Sequence, residues 1–113
     1  MERKDVDVTY DLNTDTWTIT PELVPMKEAG VIVFHRVPSD APWTFQHING
    51  VPGSWKQHAV NSGETYELHD PHGGVAASYK YTVTVHGDDD DEDHEGPNEK
   101  NILTDPPIII NEL

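Results

Sequence analysis

The residues best suited to chemistry lie in "HGDDDDEDHE", from His86 to Glu95. Seven of the eight positions from Asp88 to Glu95 are carboxylates, and imidazoles stand at His86 and His94. Neighbouring residues in an extended chain are about 3.5 Å apart. That is well inside a Debye length of about 8–10 Å, so the carboxylates repel one another with little screening. A bound cation would relieve that repulsion. Oxygen ligands such as Asp88 and Asp90 suit Ca²⁺, Mg²⁺ or Mn²⁺, whereas His86 and His94 favour Zn²⁺, Ni²⁺ or Cu²⁺. The expected metal ligands are therefore His86, His94, Asp88 and Asp90, with a divalent cation as the only cofactor in view. The spacing does not fit an EF-hand loop, because neither the turn glycine nor the closing bidentate Glu is in place. The competing reading is a solvated insertion that spreads charge and discourages association.

A second histidine pair, His69 and His72, flanks the Asp-Pro turn of "HDPHGG". Two imidazoles around such a turn could share a metal; the alternative is a turn with exposed rings. His35, His47 and His58 stand singly in expected strands and read as structural or surface residues. For enzymes the pattern is poor. There is no nucleophile elbow, no Gly-rich phosphate loop and no zinc-protease helix motif. No catalytic residue is assigned, and the expectation is a non-catalytic binding or interaction domain, with a divalent-metal protein and a small enzyme with an unrecognised site as the alternatives.

These groups must be held by strands. Thr, Val, Tyr, Trp and Ile recur in short runs separated by Gly, Pro, Asn and Asp, which is strand-and-turn composition. Residues 6–10 and 16–20 alternate with period two, and Trp17 and Ile19 share one face. Residues 30–36 are apolar without a break from Val31 to Phe34, as in a central strand covered on both sides. If Ile32 and Phe34 face inward, Val31 and Val33 form an outward apolar pair, a hint of a homo-oligomer or of a covering strand. Residues 43–48 form a further strand. Residues 55–60 form an edge strand, whose Lys, Gln and His discourage further pairing. Residues 65–69, the long run ending at His86 and the final "PPIIINEL" complete about eight strands. Pro21 and Pro25 bracket a loop. Trp43, Phe45 and Trp55 are either core or a recognition patch. The pattern predicts one all-β domain over residues 1–113, a Greek-key β-sandwich with an acidic insertion at 87–104.

Twenty-one acidic residues against seven basic ones give a net charge of −14. Nucleic acid and anionic membrane are therefore disfavoured, because contacts to phosphate need clustered Lys and Arg. A cation or a basic protein surface is the expected partner. The chain has no cysteine, so it has no disulfide and no thiolate chemistry. It opens on polar alternation without the apolar core of a signal peptide, and its longest apolar runs fall far short of a membrane span. The expected location is cytoplasmic.

Three stretches, "AGVIVFHR", "NSGETYEL" and "YKYTVTVHG", together resemble the cupredoxin family of small copper-binding sandwiches. The resemblance covers roughly residues 28–87, and "DPPIIIN" is similar to the closing strand. The Asp-Pro pieces also resemble a small bacterial group, the DP-EP family. The resemblance implies a cupredoxin-like fold, and its departures bear on function. A blue-copper site needs two histidines and a cysteine thiolate. This chain has Val83 at the cysteine position and Pro42 or Trp43 at the first histidine position, and only His86 matches a ligand. The resemblance thus implies the scaffold and argues against electron transfer. It places the working end at the 36–43 loop, His86 and the acidic connection.

Overall fold

The computed structural model describes residues 1–11, 13–14, 16–87, 99–102 and 107–112, the stretch 99–102 by its backbone alone. These residues form a β-sandwich-like all-β fold with mixed sheets and no α-helix among them. The five-stranded sheet runs β2 (Thr16–Thr20), β1 (Glu2–Asp11), β4 (Gly30–Val37), β7 (Thr65–Asp70) and β6 (Gln57–Val60) from edge to edge. A three-stranded sheet pairs β10 (Glu99–Ile102), β9 (Thr82–Gly87) and β5 (Trp43–Asn49). Another pairs β3 (Leu23–Met26), β11 (Ile108–Asn111) and β8 (Ala77–Lys80). Among the described residues two pairings are parallel, β1 with β4 and β3 with β11.

The alternation that forms the strands also builds the core. Val6 and Val8, Ile32 and Phe34, Tyr66 and Leu68, and Val83 and Val85 all point inward and are buried, while their sequence neighbours point outward. Residues of all three sheets meet in one cluster around Phe34 and Tyr81, whose rings meet edge to face with centroids 5.7 Å apart. Trp43, Phe45 and Trp55 also belong to this core rather than to an exposed recognition patch. β4 is the middle strand of its sheet. Val33, on its outward face, is buried between Asp5 and Glu67 of the flanking strands, so the expected exposed valine pair is not there.

Among the described residues eleven strands stand where about eight were expected, and each addition has a physical reason. β3 contains Pro25, which reads in sequence as a loop marker, but β3 is an edge strand, where a missing N–H is tolerated. β10 lies inside the segment read as an acidic connection and pairs with β9. The run from Ser78 to Gly87 is not one strand, because the chain changes sheets at Tyr81. Its first half pairs with β11 and its second with β5, and the Tyr81 N–H donates to the Pro107 carbonyl at 3.1 Å.

One side chain joins two sheets. The Gln57 amide oxygen accepts from the Ile48 N–H at 2.8 Å and from the Tyr66 hydroxyl at 2.7 Å, and its NH₂ donates to the Ile48 carbonyl at 3.2 Å. The side chain thus imitates a strand residue and ties β6 to the free edge of β5. Replacing Gln57 with Leu strips partners from three polar groups at once. The expected loss is about 2 kcal/mol of unfolding free energy, since each unmet group costs roughly 1–3 kcal/mol in part-buried surroundings. Urea denaturation checks it, and an unchanged midpoint would refute the bridging role.

Candidate metal centre

The β6–β7 hairpin turns through a short 3-10 segment, Asn61–Gly63. Its Asn61 and Ser62 take positive φ values of 52° and 58°. Gly63 follows at φ +90°, and an added Cβ would sit 2.6 Å from the Thr44 side chain, so glycine is required on both counts. This tight turn fixes the pairing register, with Val60 opposite Thr65 and His58 opposite Glu67. Alternation then carries Glu67 and His69 to the same outward face of β7.

The result is a cluster of three ligand groups, His58, Glu67 and His69, with one donor atom from each lying within 4.8 Å of the others. The His58 Nε2 is 3.7 Å from Glu67 Oε1, and the His69 Nε2 is 3.5 Å from the same oxygen. The two imidazoles stack 5.5 Å apart at an interplanar angle of 21°. Zinc with bond lengths near 2.0–2.2 Å in tetrahedral geometry sets its ligand atoms about 3.4 Å apart. Two of the three edges are thus near metal-bound spacing, and the third is within 4.8 Å. All three groups keep access to water, with side-chain exposures of 56%, 32% and 39% in chain order.

The chemistry of the set is specific. Two imidazoles and a carboxylate match the borderline ions Zn²⁺, Fe²⁺, Ni²⁺ and Cu²⁺ better than Ca²⁺ or Mg²⁺, which prefer all-oxygen sites. Three protein ligands leave coordination positions open to solvent. The site lies on the outer face of the five-stranded sheet, at its β6 edge. The same face carries a second polar group further in. His35 Nε2 lies 2.8 Å from Asp5 Oδ1, and Arg3 Nη2 donates to that oxygen at 3.1 Å. The hydrogen bond with His35, then that from Arg3, holds the Asp5 carboxyl below its ordinary range. With only two candidate ligand groups, that pair does not amount to a metal site.

Of the ligands expected from sequence, His86 is exposed on β9, opposite Thr44 of β5 and Glu99 of β10. Asp88, Asp90 and His94 lie outside the described residues, as does most of the acidic run. His69 and His72 do not share a site. His69 turns to Glu67, whereas His72 Nε2 bonds the Glu112 carbonyl at 2.7 Å and closes the loop over the end of β11. His58, read from sequence as a single structural or surface residue, stands with Glu67 and His69 in one group of three.

Neither the protein-family models nor the curated proteins include a match to this chain.

Proposed function

We propose that this protein is a non-catalytic domain that binds a first-row divalent metal ion through His58, Glu67 and His69. The observation that carries the reading is the convergence of two imidazoles on one carboxylate oxygen at 3.5 and 3.7 Å. The non-catalytic part rests on placement. The centre sits on an open sheet face, where water is not excluded and transition-state charges would be screened. The net charge of −14 raises the local concentration of cations, and equally of basic protein surfaces. We read the scaffold as a cupredoxin-like Greek-key sandwich, a reading supported by the three resembling stretches and by the mixed sheets. No helix among the described residues is long and apolar enough to cross a membrane.

Zinc titration tests the function. Metal that binds only the folded chain stabilises it by about 2.7 kcal/mol when free metal is a hundredfold above the dissociation constant. The expected result is one equivalent bound and a raised melting temperature, both lost when His58 and His69 are changed to Ala together. Both rings are partly exposed, so that double variant keeps the fold. Binding that persists in it, but vanishes when His86 and His94 are replaced, would move the centre to the acidic connection.

A further inference from the structure

The ladder between β6 and β7 does not stop where β6 formally begins. The His69 N–H donates to the Lys56 carbonyl at 2.8 Å, which continues the register in which Gln57 faces Leu68. Lys56 is therefore opposite His69, and two-residue alternation carries its side chain to the face of His58. The four residues form two adjacent cross-strand pairs, Lys56 with His69 and His58 with Glu67. Lys56 is exposed and makes no ion pair with any described residue. A groove of about 250 Å³ opens beside it, lined in part by Ser54, Trp55, Lys56 and His69. The one carboxylate among its lining residues, Asp70, is 2% exposed, and its Oδ1 accepts from His72 and Asn111.

An ammonium group beside a metal centre weakens the metal by repulsion, so its presence calls for a reason. A divalent ion held by two neutral imidazoles and one carboxylate keeps a net charge of +1 and open positions. An anion in an open position satisfies both that charge and the lysine. In a chain of net charge −14, a singly charged anion enters against less repulsion than a doubly charged one. We propose that the centre binds a small carboxylate, with one oxygen on the metal, the other on the Lys56 ammonium and the remainder of the molecule in the groove. This rests on the metal reading above.

Cobalt(II) serves as the test ion, because its visible spectrum reports exchange of an open-position ligand. The whole chain is loaded with cobalt and titrated with acetate at constant ionic strength. The expected result is a saturable spectral change. Lys56→Gln should weaken acetate about three- to fivefold, the effect of a partly screened ion pair of up to about 1 kcal/mol, with cobalt affinity unchanged or tighter. Lys56→Arg should restore most of the loss, and an unchanged urea midpoint would show that both variants fold. If cobalt does not bind, the metal reading itself fails and this one fails with it. The carboxylate proposal alone is overturned if cobalt binds but acetate leaves its spectrum unchanged. It is equally overturned if inorganic phosphate binds more tightly than acetate, or if Lys56→Gln binds acetate as the parent does.

Discussion

Between pH 10 and pH 12 the protein should lose stability steeply, and Tyr81→Phe should remove most of that loss. Tyr81 is 1% exposed, and its hydroxyl has no partner among the described residues. Burial pushes its pKa far above that of a free tyrosine. The folded state therefore favours the protonated phenol, while the unfolded state releases its proton near pH 10. Below that pH both states hold the proton, and Tyr81 contributes no pH dependence. Above it the unfolded chain gains by ionising and the folded one does not. Each further pH unit then removes about 1.4 kcal/mol. Two units above pH 10 cost about 2.7 kcal/mol, a large share of the roughly 5–15 kcal/mol that holds a domain together. Tyr66, also raised by burial, leaves a smaller residue of the same effect in the variant. At neutral pH Tyr81→Phe should be no less stable than the parent, because it deletes an unpaired hydroxyl and keeps the ring against Phe34. Urea unfolding at a series of alkaline pH values measures the slope, and tyrosinate absorbance shows whether the buried phenols ionise only on unfolding. If all four tyrosines titrate together near pH 10 while the fold stays intact, the argument fails.

The strands were legible where burial is one-sided. "TWTIT" alternates because one side of β2 faces the core, and it is a strand over those residues. "GVIVF" is continuous because β4 lies mid-sheet, and even outward-facing Val33 is covered. The edge position of β6 was legible in the Lys, Gln and His at positions 56–58. Legibility failed where tertiary pairing overrides a local signal. Pro25 looks like a breaker, but β3 uses only one of its backbone edges. The break at Tyr81 has no sequence mark at all. The alternation from Tyr79 to His86 runs through it unchanged, since both halves present the same side to one core.

The candidate centre was missed for a different reason. All three residues were visible, and so were both strands and the turn between them. What local pattern does not supply is the register. Once Val60 faces Thr65, pairing follows by counting outward, and His58 must meet Glu67 while Lys56 meets His69. An imidazole on one strand and Glu-x-His on the next, joined by a turn of known length, is the signal that would have found it. The acidic run attracted attention because its charges are contiguous in sequence. A centre built across a hairpin is contiguous only in space.

The strand that carries Glu67 and His69 pairs along β4, and β4 meets β1 at one glycine. Gly30→Ala should cost about 3 kcal/mol or more, at the upper end for overpacking. A Cβ at Gly30 would stand 2.1 Å from the Glu2 carbonyl oxygen, 2.7 Å from its carbon and 2.9 Å from Met26 Cε. The methionine tip can swing aside. The Glu2 carbonyl cannot, because Glu2 is the first partner of Gly30 in the parallel β1–β4 ladder and its N–H donates to the Ala29 carbonyl at 3.2 Å. The Glu2 side chain is fixed as well, with its carboxylate accepting from the Lys27 N–H at 2.7 Å. Relief therefore requires β1 to shift away from β4, which strains the central pairing of the sheet. Gly53→Ala is the matched control, since an added Cβ there meets nothing within 4 Å. Urea unfolding should separate the two variants clearly. Hydrogen exchange should show lost protection in β1 and β4 of Gly30→Ala before β7. Equal stability for the two would mean that β1 is not held against β4 at this point.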